Sequence, residues 1–208
     1  MRTHLEQRGA TFHRYFADEE TATFLLYNPH GKLVGYQVYR PLGTKEKKNH
    51  PREGRYYTYL PKEVDGFFGL EYDVGGPLFV VEGIFKAMKL HNLGFSAVAV
   101  LGASPKRLKS WFKAVKQQRP LVATGDNDPT GAQLVSLVGI GFQSPKDLDE
   151  MTDEEVLECI EKQSLLWMPS TTSPMCCIMR QCLLPLWCFF FLANGVRQSL
   201  LSLRYLFR

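Results

Sequence analysis

Leu78-Phe79-Val80-Val81-Glu82-Gly83 is the stretch on which the fold turns. An unbroken run of apolar, β-favouring residues reads as a strand buried on both faces, the pattern of a parallel sheet. The run stops on a carboxylate followed by a glycine. Pro120-Leu121-Val122-Ala123-Thr124-Gly125-Asp126-Asn127-Asp128 repeats the arrangement, an apolar strand ending in acidic residues. A carboxylate just past a parallel strand stands at the carboxyl edge of the sheet, where open α/β folds bind their ligands. Glu82, Asp126 and Asp128 at one such edge, with no basic partner adjacent in sequence, point to a divalent cation and phosphate chemistry. Asp126-Asn127-Asp128-Pro129 is also good turn and helix-capping chemistry, so the aspartates have a structural use as well.

Outward from these runs the rhythm is strand–helix–strand. The first strand leads through Gly83 into a helix to about Asn92, with Gly94 placed to cap it. Ser96 to Leu101 is the second strand. Ser104-Pro105 opens a helix, Ser104 as N-cap, with Leu108, Trp111, Phe112 and Val115 on one side and lysines and Arg107 around them. Residues 120–125 form the third strand, and Asp128-Pro129-Thr130-Gly131 starts a helix ending near Gly139. A last amphipathic helix covers Asp153–Glu161, capped by Thr152 or Asp153. Right-handed crossovers make such strands parallel. The first and third then end at the same edge, which is how residues far apart in sequence come to meet. Upstream, residues 23–27 and 33–39 read as a hairpin around Asn28-Pro29-His30-Gly31, and 55–60 as a further strand.

The pattern resembles the Toprim domain shared by bacterial-type and phage primases, type IA and II topoisomerases and related nucleases. That domain has a Glu-Gly after its first core strand and an Asp-x-Asp after a later one, matched here by Glu82-Gly83 and Asp126-Asn127-Asp128. Val81-Glu82-Gly83-Ile84-Phe85, Leu101-Gly102-Ala103-Ser104 and Asp126-Asn127-Asp128-Pro129-Thr130-Gly131 are most similar to the phage and DnaG-like primase versions of these motifs. Gly31 to Tyr36 resembles a hairpin of primase N-terminal subdomains, and Ser144 to Asp149 the acidic segment that closes many Toprim units. The likeness covers roughly residues 15–160. It implies an α/β Toprim core, a Rossmann-like parallel sheet flanked by helices, preceded by a small α+β N-terminal subdomain. The expected boundaries are 1–75, 76–162 and an atypical tail at 163–208.

The same resemblance implies synthesis of short RNA primers on single-stranded DNA during DNA replication, with nucleoside triphosphates and Mg²⁺ (or Mn²⁺). Asp126 and Asp128 would hold metal, with Glu82 as a further ligand or as base for a 3′-hydroxyl. Asp147 and Asp149 are a possible additional acidic cluster. Two alternatives stay open: a Toprim metal-dependent nuclease, and a non-catalytic module that binds single-stranded DNA or a helicase. A topoisomerase would need further domains carrying a strand-cleaving tyrosine. Primases often carry an aspartate four residues after the motif glutamate; this chain has Lys86. One helical turn on, it would repel a second cation or reach toward phosphate. Zinc-binding and helicase motifs are not found in this sequence, so a separate zinc-binding chain and a replicative helicase are the implied partners.

Composition fits a globular protein, with 45% hydrophobic residues and a formal net charge of +4. The surplus is local. Arg180, Arg197, Arg204 and Arg208 all lie beyond Lys162, where no carboxylate occurs, so the main body is formally neutral. A nucleic-acid surface must then be a patch. Lys45, Lys47, Lys48, Arg52 and Arg55, interleaved with Tyr57 and neighbouring tyrosines, suit backbone contact and base stacking on a single strand; a solvated loop would read the same. His91 reads as a helix-surface residue, and His13, His30 and His50 show no ligand spacing. No CxxC pair is present, so no zinc ribbon is read; the opening Met1–Arg8 lacks the apolar core of a signal peptide, so an intracellular, reducing compartment is expected, and the resemblance implies a bacterial or phage-infected host cytoplasm. The cysteine-rich, apolar tail has three readings: a non-native reading frame, a helix docking on a partner, or a membrane anchor. Its apolar run is short of the ~20 residues a spanning helix needs, and a membrane association is not expected.

Overall fold

The structure, a computed structural model, describes residues 1–46, 50–101 and 108–167, the last three by backbone alone. Lys47, Lys48, the Gly102–Ser104 motif, Pro105, Lys106, Arg107 and the tail from 168 onward, each given a reading above, lie outside the described residues. Residues Met1–Gln163 form one compact unit, and Ser164–Arg208 is assigned to a second.

The hydrophobic alternation of the N-terminal third builds an antiparallel sheet of β1 (Phe16–Ala17), β2 (Ala22–Tyr27), β3 (Leu33–Tyr39) and β4 (Tyr56–Tyr59), paired in that order. In β2, Ala22, Phe24 and Leu26 are buried while the residues between them are half-buried, as a one-sided sheet requires. The β2–β3 turn is held by Asn28, whose Oδ1 accepts from the backbone of His30 (3.0 Å) and Lys32 (2.9 Å). A short helix, α1 (Arg2–Gln7), precedes the sheet.

The continuous apolar runs build the second sheet: β5 (Leu78–Val81), β6 (Ser96–Ala99), β7 (Leu121–Gly125) and β8 (Gly141–Gln143), all parallel, in the order β6-β5-β7-β8. Every residue of β5, β6 and β7 is buried. Helices α2 (Ile84–Asn92), α3 (Lys109–Lys116) and α4 (Pro129–Val138) follow β5, β6 and β7, and α5 (Asp153–Trp167) closes the described chain. The core gathers Phe67, Leu78, Val80, Val98, Leu108, Phe112, Leu121 and Leu134, with Trp111 stacked on Phe67 at 4.4 Å between ring centroids. Residues 65–76, a connector by sequence, reach both sheets: Phe67 bridges to Tyr27 and Phe68 to Ala99.

The observed order reverses direction between β5 and β7. The chain steps from β5 to β6 on one side and returns to β7 on the other, so the crevice beyond the β5 and β7 carboxyl ends is the switch point of this sheet.

His91 corrects one expectation. It is buried, not on the helix surface. α2 buries Ile84, Phe85, Ala87, Met88, Leu90 and His91, more than one face of the helix, because the N-terminal segment packs over it. Thr11 donates to Asn92 (2.9 Å), Asn92 donates to the Gly9 carbonyl (2.9 Å), and the His13 ring lies 3.0 Å from His91. Strand periodicity and helix spacing carry no information on such a covering.

Candidate active site

β5 and β7 are hydrogen-bonded neighbours in the register Leu78↔Leu121, Phe79↔Val122, Val80↔Ala123. The two strands therefore end level, one on either side of the switch point. Glu82 is the first residue past β5 and Asp126 the first past β7. Each strand turns at once into a helix, so the amino ends of α2 and α4 face the same rim. Free backbone N–H groups and helix dipoles there favour anionic ligands.

Each carboxylate is fixed differently. Asp128 is the N-cap of α4. Its Oδ1 accepts from the Gly131 N–H (2.7 Å), and Pro129 occupies the first helical position. Gly131 is required by close packing. A Cβ there would collide with the Asp126 backbone, and one at Gly125 would collide with Gly131 in return. Gln143, on β8, donates through Nε2 to the carbonyls of Asp126 (2.8 Å) and Asp128 (3.0 Å), pinning the loop between the two aspartates. The sequence reading missed Gln143, because a three-residue strand leaves no periodic signal.

Glu82 has its backbone carbonyl hydrogen-bonded by the Leu101 N–H (3.1 Å). Leu101 has φ = 49°, a left-handed conformation that a branched side chain rarely adopts. The Oε1 of Glu82 is buried and has no hydrogen-bond partner among the described residues. Burial pushes the Glu82 carboxyl above its ordinary range. The charges of Asp126, Asp128 and Asp147 push the same way, with Lys86 opposing.

Lys86 is the residue the acidic groups turn to. Its side chain, only 12% exposed, pairs with Asp126 and lies 3.6 Å from Asp147. Burial alone would lower its pKa. The hydrogen bond to Asp126 and the charges of Asp126, Asp147 and Asp149 outweigh that, and the ammonium is held above its usual value. Among the described residues, no three Asp, Glu, His or Cys side chains stand together as a ready-made metal-ligand group.

Glu82, Lys86, Asp126, Asp128 and Asp147 thus share one electrostatic neighbourhood. Asp149 is engaged elsewhere, in an ion pair with Arg8, whose guanidinium also lies 4.3 Å above the Phe85 ring. Of the basic segment, Arg55 directly precedes β4 and Tyr57 lies on it. Lys45 and Arg52 are exposed. The Arg55 Nε donates to the Gly43 carbonyl (3.2 Å), and Tyr57 packs edge-on against Tyr36.

Comparison with solved structures gives the same architecture. The primase fragment of the bacteriophage T7 primase-helicase protein aligns at TM-score 0.52 and 16% identity, covering 75% of this chain and 68% of that one. The E. coli primase catalytic core aligns at 0.52 and 17%, covering 81% and 60%. A DnaG primase catalytic domain bound to single-stranded DNA aligns at 0.50 and 18%, covering 81% of this chain and 59% of that chain. This chain therefore spans about three fifths of the length of the DnaG-type catalytic domains it resembles. No family model matches the chain, and no curated protein matches it in sequence. At these identities the likeness is one of fold: this chain has the fold of the DnaG and T7 primase catalytic domains.

Proposed function

We propose that this chain is a primase-type nucleotidyltransferase, which extends a short RNA on a single-stranded DNA template in replication. The observation that carries the reading is the buried Oε1 of Glu82 at the switch point, which has no hydrogen-bond partner among the described residues and lies in the field of Asp126 and Asp128. A buried carboxylate oxygen left without a donor is costly, and a cation relieves it. Asp126, Asp128 and Glu82 are the residues that would hold a divalent ion, Mg²⁺ or Mn²⁺, and the orphaned Glu82 oxygen is what supports its binding there. Such an ion, when bound, organises triphosphate oxygens and offsets the charge that develops on phosphoryl transfer.

The chain's own side chains do the rest. Glu82, with its carboxyl above the ordinary range, is suited to take a proton from an attacking 3′-hydroxyl. The first turns of α2 and α4 present backbone N–H groups to phosphate. Asp147 adds negative charge at the rim and steadies Lys86. Asp149 acts through Arg8 to hold the N-terminal segment, a structural part. Lys45, Lys47, Lys48, Arg52 and Arg55 would hold the template backbone, and Tyr57 would stack on a base. Unwinding and template selection would come from a helicase and a zinc-binding chain, all within a cytoplasmic replication assembly. Among the described residues no helix is long and apolar enough to cross a membrane.

The test is incubation of the full chain with labelled single-stranded DNA and Mn²⁺, with and without nucleotides. New oligoribonucleotides that require the nucleotides, and that vanish in a folded Asp126→Ala variant, are expected. Breakdown of the template without nucleotides would replace this reading with a nuclease. Metal-dependent stabilisation without either product would leave a binding module.

A further inference from the structure

Lys86 sits inside the acidic rim, at a place where the reading above would put a cation. Four carboxylates bear on the site: Glu82, Asp126, Asp128 and Asp147. Lys86 takes Asp126 directly and approaches Asp147 to 3.6 Å, so it engages the two that come from different loops. With 12% of its side chain exposed, it cannot leave for solvent without vacating this position. A tethered ammonium this close to a divalent ion opposes binding of another one by simple repulsion. It also competes for the Asp126 oxygen that an ion would use. Glu82 also lies in the field of Lys86, and its buried Oε1 has no hydrogen-bond partner among the described residues.

We propose that Lys86 is a built-in cation that takes the place of one metal ion, limiting the rim to a single divalent ion. The inference rests on the metal site proposed above and adds its stoichiometry and the residue that sets it. Lys86 is a positioning residue in this scheme. It offsets part of the charge of Asp126 and Asp147, so that the negative charge remaining on the rim suffices for one ion.

Mn²⁺ titration of the full-length protein, followed by electron paramagnetic resonance, counts bound ions without reference to turnover. The wild type is expected to bind one Mn²⁺ per chain. Lys86→Met, which keeps the length of the side chain and removes its charge, is expected to bind two. Lys86→Arg is expected to stay at one, as is Lys113→Met on exposed α3. Two ions on the wild type would overturn the proposal even if Lys86→Met fails to fold. A count still of one in a folded Lys86→Met would also overturn it. If binding in the wild type is then still lost in Asp128→Asn, the metal site stands and only the role of Lys86 falls. No Mn²⁺ bound to either protein would remove both readings.

Discussion

Asp128 serves two ends, and they can be separated. Its side chain caps α4 through Gly131, and its charge faces the rim. Asparagine caps a helix about as well as aspartate but carries no charge, whereas alanine does neither. Asp128→Asn is therefore expected to melt with the wild type and to lose primer synthesis. Asp128→Ala is expected to lose synthesis and about 1 kcal/mol of stability besides. Thermal melts beside a primer assay check both, and full activity in a stable Asp128→Asn would remove the metal role. That Glu82 and Asp126 stand at the ends of neighbouring strands was legible in the sequence because each follows an apolar run. Lys86 was legible as a departure, but its pairing with Asp126 was not, since nothing local brings α2 against the loop after β7. His91 was misread for the same reason. Its partner, His13, lies far away in sequence and arrives only through the fold.

The carboxylates are placed by strand ends and helix starts rather than by long loops. The Asp126–Gly131 connection has no room for slack: Gly131 lies against the Asp126 backbone, and Gln143 closes the other side. Gly131→Ala is expected to destabilise the protein by about 2 kcal/mol through overpacking against backbone that cannot move aside. Urea unfolding would measure it, and wild-type stability in that variant would show the connection to be looser than described. β5, β6, β7, α2 and α4 were all readable, since full burial writes a continuous apolar run and Asp-Pro writes a helix start. The expected cap of α5 was readable too. Thr152 and Glu155 form a reciprocal capping box, the Glu155 N–H donating to Thr152 Oγ1 (3.2 Å) and the Thr152 N–H to Glu155 Oε2 (2.7 Å). β1 and β8 were not readable, because two or three residues cannot establish a period.

Across residues 1–163, the N-terminal segment is strapped to the α2 side of the parallel sheet by the His13–His91 contact and the Arg8–Asp149 ion pair. The Ala97 carbonyl can only accept, so the His91 Nε2, 2.9 Å away, carries a proton, and its Nδ1 accepts from the His13 Nε2–H. Burial, which penalises the charged form, favours the neutral state of both rings. Burial, helped by the neighbouring His91, holds His13 down to about 3, and burial lowers His91 as well. Between the ordinary histidine value and about pH 3 the unfolded chain binds more protons than the folded one, so stability falls as pH falls through that window. His13 alone contributes a slope of up to about 1.4 kcal/mol per pH unit. Urea unfolding at pH 7 and pH 5 is expected to show the loss, and His13→Gln, which keeps a donor for His91, a shallower one. A stability that rises toward pH 5 would contradict the neutral pair.

The account as a whole stands on Glu82. The most direct measurement is primer synthesis by the full chain on single-stranded DNA with nucleoside triphosphates and Mg²⁺, set beside a Glu82→Gln variant shown by circular dichroism to be folded. Glu82→Gln is expected to cut synthesis by a hundredfold or more, the scale of a lost general base. Synthesis at the wild-type rate in that variant would contradict the central claim.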